Sequence, residues 1–288
     1  MPLLDRLKAQ LDRRSLRFLL TAAANQLAIM ARHGVRRIFY DDGIWIHETS
    51  HGYFAYHHPY IRLNMAGLDT WARTVFLRNY QPKPGHFILD IGAGAGEEVL
   101  TFSRAVGDSG RVICVEAHPR TFRCLQKLVE YNRLWNVIPI HCAVAEPGCE
   151  EAMIQDSSEY LRNRVGGTEG FRVPARTIDS ITAGLGLTQI HFLKMNIEGG
   201  ERLAIRGMTE TIQRTRALCI CCHDFLADIC GDDLLRTREA VTEFLRQNDL
   251  RVVQEEGPGI LPYVREQVWA YTKALLCERC LTPLDESD

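Results

Sequence analysis

Apolar and polar positions follow two different periods along the chain. Over residues 3–32 leucines recur at helical spacing with arginines between them, which predicts an amphipathic helical arm. Residues 35–65 change to a pattern typical of a β-hairpin around the turn sequence Asp41-Asp42-Gly43. A second helix is predicted over residues 68–80. The Pro- and Gly-containing residues 81–85 end it and mark the boundary of the main domain.

Beyond this boundary, short apolar runs alternate with helical stretches. This alternation predicts a doubly wound α/β domain with a seven-stranded sheet, six strands parallel and one reversed. The predicted strands cover residues 87–91, 112–115, 137–142, 190–195, 217–222, 250–254 and 267–272. The predicted helices cover residues 97–106, 119–134 and 233–248. The chain thus divides into an N-terminal helical and hairpin extension (1–80), a main domain (81–275) and a tail (276–288).

Charge and composition limit the classes of partner that are expected for this chain. With 34 basic and 36 acidic residues, no global field attracts nucleic acid, so no nucleic-acid partner is expected. No apolar run approaches the roughly 20 residues of a spanning helix, so no stable membrane insertion is expected. The N-terminal helices could instead pair two copies into a homodimer. Ten scattered cysteines, several in buried-strand runs, fit a reducing cytoplasm. Cys277 and Cys280 have metal-ligand spacing without a second pair, which favours incidental thiols.

The strongest local signal is an apolar strand that ends in an aspartate and opens into three glycines spaced two apart. Glycines let the backbone turn sharply and approach a ligand, and the following helix offers free N–H groups. The predicted cofactor-binding residues of this segment are Asp90, Gly92, Ala93, Gly94 and Gly96. The dinucleotide fingerprint would place a glycine where Glu97 stands. Glu97 and Glu98 also bring negative charge to the helix start, which favours a cationic sulfonium, S-adenosylmethionine, over NAD.

The second strand of the predicted sheet ends at Glu116. A carboxylate there can accept hydrogen bonds from both hydroxyls of a ribose, as a nucleoside cofactor requires. Ala117 and Ala143, which follow the second and third strands, are also placed at the cofactor site. The alternative interpretation is a loop glycine cluster beside a solvated glutamate.

Two later segments complete a longer pattern: VPARTIDSI at 173–181 and IHFLKMNIEGGERLAIRGM at 190–208. In this order the motifs resemble the FkbM family of methyltransferases, with its D-x-G-A-x-x-G loop, its second strand, its "tlD" turn and its "flKiDvEGxE" strand. The resemblance spans about residues 85–225. It implies a Rossmann-like methyltransferase sheet, S-adenosylmethionine as methyl donor, and a hydroxyl acceptor on a sugar, polyketide or other natural product.

The chain departs from the family pattern at Asn196, which stands where the family has an aspartate. A neutral amide neither takes a proton at working pH nor neutralises a cation, so Asn196 stays a candidate of the cofactor and catalytic site but not as the base. Lys194, Glu198 and Glu201 match the pattern, and strand ends at this edge of the sheet point into the ligand crevice. Lys194 and Glu198 are carried over as catalytic candidates.

An aliphatic hydroxyl needs a general base or a Lewis-acidic metal before it attacks a methyl group. His223 ends the apolar run LCICCHDF and is the predicted base, with Asp224 orienting the imidazole. The alternative is a structural histidine that caps the strand. A divalent metal on Glu198, His223 and Asp224 is chemically compatible, but the spacing is not diagnostic, and no metal site is predicted.

Histidines and aromatic residues alternate in the N-terminal region, which we interpret as a substrate lid over the crevice, with a hairpin packed on the core as the alternative. They are His47, His51, His57 and His58 with Tyr53, Phe54, Tyr56 and Tyr60. Together these patterns predict an O-methyltransferase that acts on a small metabolite, natural product or glycan. N- or C-methylation and a non-catalytic nucleoside-binding scaffold remain open.

Overall fold

The N-terminal part of the chain forms a small antiparallel sheet with a helix against it. In the computed structural model, which describes residues 14–31, 34–59, 65–156, 170–255, 260, 262–273 and 275, helix α1 (Arg14–Ala31) precedes three strands. These strands are β1 (Val35–Asp41), β2 (Ile44–Thr49) and β3 (Gly52–Tyr56), paired in the order β1-β2-β3. The predicted hairpin is confirmed, because Asp42 and Gly43 both adopt the positive φ that a tight primed turn requires. The third strand was not predicted.

Some sequence predictions fall outside the described residues. They are the helical arm over residues 3–13, Tyr60, and the tail with Cys277 and Cys280.

The second helix is shorter than predicted. Helix α2 (Met65–Trp71) continues as one π-helical turn (Ala72–Phe76), and the Leu77 N–H donates to the Ala72 carbonyl at 2.9 Å. The prediction that this helix reaches Tyr80 is wrong. The Tyr80 ring instead stacks on Phe192 of the main sheet, with ring centroids 5.1 Å apart, so packing on the sheet decides where the helix ends.

The rest of the chain supplies ten strands and seven α-helices among the described residues. The strands are β4 (Phe87–Ile91), β5 (Arg111–Glu116), β6 (Val137–His141), β7 (Ala143–Val144), β8 (Glu151–Ile154), β9 (Phe171–Arg176), β10 (Ile190–Met195), β11 (Thr215–Cys221), β12 (Arg251–Val253) and β13 (Gln267–Tyr271). The helices are α3 (Val99–Val106), α4 (Pro119–Asn132), α5 (Ile178–Gly184), α6 (Glu201–Ala204), α7 (Asp224–Cys230), α8 (Arg238–Gln247) and α9 (Pro262–Arg265).

Seven of these strands form the main sheet, in the order β12-β13-β11-β10-β4-β5-β6. Both neighbours of β13 pair with it antiparallel, and the other pairs are parallel, so six strands share one direction and one is reversed. This confirms the predicted Rossmann-like α/β architecture. The predicted last helix begins at Arg238 rather than at residue 233, and the short helix α7 before it was not predicted.

Alternate residues of the central strands enter two hydrophobic clusters, one on each face of the sheet. Ile88 and Phe192 share a cluster with helices α3 and α4 and with the N-terminal sheet. Leu89 and Leu193 belong to the cluster under helices α5 and α8. Burial on both faces explains why these strands are almost continuously apolar in the sequence.

A third, three-stranded sheet lies beyond the end of β6, in the order β7-β9-β8. Strand β7 pairs parallel with β9, and β8 pairs antiparallel with it. The sequence analysis did not predict this sheet. Among the helices of the described ranges, none has both the length and the apolar character that crossing a bilayer requires.

Candidate active site

A cleft opens where the carboxyl ends of β4, β5 and β10 meet. It encloses about 860 Å³ including its open mouth. Its walls come from three segments at the strand ends and from the third sheet. The lining residues are Ile91, Gly92, Ala93, Gly94, Glu97, Glu98, Val115, Glu116, Ala117, His118, Thr121, Cys142, Val144, Ile154, Lys194, Asn196, Ile197 and Glu198.

The glycine loop after β4 is locked against the loop after β10. Gly92 has φ +74°, and a Cβ built on it would lie 2.0 Å from the Asn196 carbonyl oxygen. The Asn196 N–H in turn donates to the Ile91 carbonyl at 2.9 Å. Gly96, predicted to bind cofactor, lies outside the cleft wall. It allows helix α4 to pack closely, because its Cβ would lie 3.0 Å from Leu125.

Glu116 is fixed at the mouth of this loop. One carboxylate oxygen accepts the Gly94 N–H at 2.9 Å and the other accepts the His118 N–H at 2.8 Å. Burial raises the pKa of Glu116, and the two backbone donors oppose this shift. The structure therefore brings the glycine loop and the strand-end carboxylate to one wall, as their order in the sequence indicated.

Asp90 and Lys194 form a fully buried ion pair below the cleft. Lys194 Nζ lies 2.9 Å from Asp90 Oδ1 and also donates to the Gly92 carbonyl at 2.8 Å. Burial opposes the lysine charge, but the carboxylates of Asp90 and Glu98 raise the pKa of Lys194 above its ordinary value. Lys194 therefore does not release its proton near neutral pH. It anchors the glycine loop, and Asp90 is its counter-ion rather than a residue of the cleft wall.

Two carboxylates stand side by side where helix α3 begins. The Tyr56 hydroxyl donates to Glu97 at 3.0 Å, which joins the N-terminal sheet to the cleft. Glu98 occupies the N-cap position of α3, and its side chain makes no capping hydrogen bond. Burial raises the pKa of Glu98 to about 7, with Lys194 opposing and Glu97 adding to the shift.

The third sheet supplies an apolar wall. Val144 and Ile154 line the cleft together with Cys142. Ala143, predicted to contact the cofactor, is buried in a separate cluster with Val173 and other residues of that sheet. The correction follows from strand geometry, since successive side chains point to opposite faces.

The loop that follows β10 is held by hydrogen bonds to a buried carboxylate. Glu198 lines the cleft with φ +53°, a conformation that is uncommon for a residue with a side chain. The buried carboxylate of Glu201 accepts the N–H groups of Ile197 at 3.2 Å and Gly199 at 3.4 Å. Asn196 also lines the cleft, and its buried Oδ1 has no hydrogen-bond partner among the described residues.

His223 lies behind this loop rather than in the cleft wall. Its Nε2 is 3.5 Å from Glu198 Oε1 and its Nδ1 is 3.6 Å from Glu201 Oε1. Burial opposes protonation of the ring, yet the adjacent Cys221 sulfur and the two carboxylates raise the pKa of His223 to about 11. The ring is therefore an imidazolium at neutral pH. The role of general base therefore stays a prediction for His223, which does not line the cleft and whose imidazolium form has no lone pair to offer.

Asp224 does not orient that imidazole. Its Oδ1 accepts the N–H groups of Thr237 at 2.8 Å and Arg238 at 3.1 Å, where helix α8 begins. The carboxylate thus satisfies the free donors of a helix start. Nor do the described residues contain a group of three or more His, Cys, Asp or Glu side chains arranged to hold a metal ion.

The predicted lid is in fact part of the N-terminal sheet. His47 in β2 is fully buried, and burial lowers its pKa to about 4. Phe54 and Tyr56 are buried in β3. The lid interpretation is wrong for these three residues, because their side chains pack inside the fold.

Several residues of the cleft were not predicted. His118 caps helix α4 and accepts the Thr121 N–H, a role that the sequence His-Pro at a helix start could have indicated. Val144 and Ile154 carried no usable signal, because the small sheet that positions them was itself not predicted.

Comparison with known proteins shows which family this chain resembles. The family described as the methyltransferase FkbM domain matches residues 90–245. A fibrillarin-like rRNA/tRNA 2'-O-methyltransferase from Pyrococcus furiosus is 29% identical over 123 residues, covering 36% of this chain and 52% of the relative. A 2-O-methyltransferase, NoeI, from Sinorhizobium fredii is 26% identical over 151 residues, covering 46% and 62%.

The chain spans about half the length of the archaeal relatives that it matches. The crystal structure of a methyltransferase FkbM from Methylobacillus flagellatus superposes with a TM-score of 0.47 at 18% identity, covering 69% of this chain and 47% of that one. The FkbM match extends over more than half of the 288 residues. The chain therefore belongs to the FkbM methyltransferase family.

Proposed function

We propose that this protein transfers a methyl group from S-adenosylmethionine to a hydroxyl of a small metabolite, natural product or glycan. The observation that carries the proposal is the Glu116 carboxylate, fixed by the Gly94 and His118 N–H groups beside the glycine loop in an acidic cleft. A carboxylate held in this way accepts hydrogen bonds from a ribose. Glu97 and Glu98, which line the cleft where helix α3 begins, disfavour a pyrophosphate there.

The residues of the cleft fit the parts of this cofactor. Val144 and Ile154 offer apolar surface to the base, and Glu116 offers acceptors to the ribose. Asn196 adds a buried oxygen that lacks a partner among the described residues and can accept from a bound amine. When bound, the cofactor supplies the electrophilic methyl group. The protein's own task is to hold the acceptor oxygen in line with it and to exclude water.

Within this proposal, Glu198 is the group that takes the proton of the acceptor hydroxyl. It lines the cleft, and its carboxylate lies within 3.5 Å of the His223 ring. Since Asn196 cannot accept that proton, the carboxylate two residues later is the basic group closest to it along the loop. His223 is then a positioning residue that holds Glu198, and not the base.

Titration calorimetry tests the cofactor assignment. We expect S-adenosylmethionine and S-adenosylhomocysteine to bind and NAD not to bind. Glu116→Gln should weaken both adenosyl ligands by about tenfold, because it removes the charge from the acceptor of two ribose hydrogen bonds. The matched control is Glu150→Gln, an exposed residue outside the cleft wall. Tighter binding of NAD would overturn the proposal.

The relatives favour oxygen as the methylated atom. The name of the archaeal relative specifies a 2'-O-methyltransferase, and that of NoeI specifies a 2-O-methyltransferase. The archaeal names also introduce RNA as a second candidate acceptor, in spite of the net charge of −2. Transfer of a labelled methyl group to purified tRNA and rRNA, compared with transfer to a panel of hydroxylated metabolites, glycans and amines, separates these acceptors. Cofactor binding without transfer to any of them would favour the scaffold alternative.

The same proposal includes a role in the biosynthesis of a natural product and a reaction in the cytoplasm. The seven cysteines whose state is described are free thiols, which supports a reducing compartment such as the cytoplasm.

A further inference from the structure

Glu98 differs from the other carboxylates that line the cleft. Glu97 accepts the Tyr56 hydroxyl, Glu116 accepts two backbone N–H groups, and Glu198 lies against the His223 imidazolium. Within the described part of the chain, no basic side chain lies within 4 Å of the Glu98 carboxylate, and this side chain makes no capping hydrogen bond. The half-buried Glu98 carboxylate thus forms no ion pair with a side chain, and the hydrogen bond that it accepts comes from its own backbone N–H.

The charges that face Glu98 come from three elements. Lys194 on β10 attracts it, but that ammonium is already committed to Asp90 at 2.9 Å. Asp90 on β4 and Glu97 on the same loop both repel it. Together with burial, this imbalance raises the pKa of Glu98 to about 7. The local charge is therefore one that an additional cation would stabilise.

A second observation in the cleft also points to a ligand. Asn196 Oδ1 is buried in the cleft wall and has no hydrogen-bond partner in the described ranges. An acceptor atom in this state indicates a donor that arrives with a bound molecule.

We propose that Glu98 pairs with the positive sulfur of the methyl donor and thereby distinguishes the charged donor from the neutral product. This inference rests on the proposed function. The two ligands share their nucleoside and amino-acid parts and differ in the methyl group and its charge. A carboxylate that recognises only this charge loses its attraction for the ligand once the methyl group has left, which favours exchange of product for fresh donor.

Calorimetry on Glu98→Gln at pH 8 tests the inference. S-adenosylmethionine should bind about tenfold more weakly, whereas S-adenosylhomocysteine should change by less than about twofold, because only the donor loses an ion pair. Glu97→Gln should change the ratio of the donor affinity to the product affinity by less than Glu98→Gln does, since Glu97 already accepts the Tyr56 hydroxyl. The control Glu150→Gln should leave both affinities unchanged. Equal losses for both ligands would overturn the inference, because Glu98 would then serve the shared amino group or the fold.

The unmodified protein gives a second measurement that does not depend on a variant folding. Below pH 7 the donor must displace a proton from Glu98, so its affinity should rise by about tenfold between pH 6 and pH 8, relative to that of the product. Titrations at pH 6.5 in two buffers of different ionisation enthalpy should show proton release with the donor only. If the ratio of donor affinity to product affinity did not change with pH, this inference would be overturned while the proposed function would stand. Failure of the donor to bind at all would overturn the proposed function instead.

Discussion

The imidazole of His223 lies between two carboxylates, with Nε2 3.5 Å from Glu198 Oε1 and Nδ1 3.6 Å from Glu201 Oε1. Glu201 is fully buried and also accepts two N–H groups of the loop after β10. One imidazolium therefore compensates two acids, one structural and one in the cleft wall. This arrangement gives His223 a structural role that can be measured separately from activity.

Replacement of His223 by glutamine should destabilise the fold. The change leaves the buried Glu201 carboxylate without its cation, and the loss of one partner of a buried pair costs about 3–5 kcal/mol. Urea unfolding at pH 6, followed by circular dichroism, gives the value. His51→Gln is the control, because His51 is an exposed histidine in a turn. Equal unfolding free energies for the two variants would contradict the buried cluster.

Titration of the His223 ring should also make the unfolding free energy depend on pH. The pKa of His223 is raised from 6.5 to about 11 in the folded protein. Its contribution is therefore complete below pH 6.5 and is lost as the pH rises toward 11. In this window, the unfolding free energy of the unmodified protein should fall relative to His223→Gln by up to about 1.4 kcal/mol per pH unit. Parallel curves between pH 7 and pH 9 would show that the ring is neutral.

The Asp90–Lys194 pair should behave as a coupled unit. Lys194→Met leaves Asp90 buried without its counter-ion and should cost about 3–5 kcal/mol of unfolding free energy. The double variant Lys194→Met/Asp90→Val should recover much of this loss, because no unpaired charge then remains buried. Denaturant unfolding of the two single variants and the double variant gives the coupling energy. Additive losses would show that the two charges do not interact.

Gly92→Ala should lower the unfolding free energy by more than the same change at another glycine with a positive φ. The new Cβ would meet the Asn196 carbonyl oxygen at 2.0 Å. Gly148 has φ +88° with open space around it, so Gly148→Ala measures the backbone strain alone, about 1–2 kcal/mol. Gly92→Ala should exceed that loss by about 1–3 kcal/mol through the clash, and should also abolish binding of S-adenosylhomocysteine. Similar losses in both variants would mean that the two loops are not in contact.

Asn132 should hold the N-terminal sheet onto helix α4. Its Oδ1 accepts the Tyr53 N–H at 2.9 Å and its Nδ2 donates to the Tyr53 carbonyl at 2.7 Å, as a neighbouring strand would. Asn132→Ala removes both bonds, together with the bond from Nδ2 to the Leu128 carbonyl, and should cost about 1–3 kcal/mol. Asn132→Asp should not avoid this loss, because its second carboxylate oxygen would face the Tyr53 and Leu128 carbonyls without a hydrogen to donate. Amide hydrogen exchange at Tyr53 reports the change. Unchanged protection in Asn132→Ala would place the attachment elsewhere.

The sequence analysis was most accurate where a strand is buried on both faces. The strands at 87–91 and 190–195 were predicted with their observed bounds, because two covered faces make the sequence apolar without interruption. Asp90 and Glu116 were found for a related reason, since a polar residue that ends such a strand stands out at the edge of the sheet.

The remaining features depend on contacts that are distant in the sequence. Strand β7 contains two residues, and its partner β9 begins 27 residues after it ends, so neither period nor length identifies the pair. The raised pKa of His223 depends on Cys221, two residues before it, and on Glu198 and Glu201, which follow another strand. A histidine at a strand end suggested a base because nothing in its own segment shows that two acids surround it.

The hydrophobic cluster that contains Ile38, Trp45 and Phe54 also contains residues of α3, α4 and the central strands, while the FkbM match begins only at Asp90. The inward side chains of this leading segment and one face of the seven-stranded sheet therefore form one packing unit. A substitution at an inward position of residues 35–56 should lower the unfolding free energy of both parts together, whereas a substitution at an exposed position of the same strands should leave it nearly unchanged.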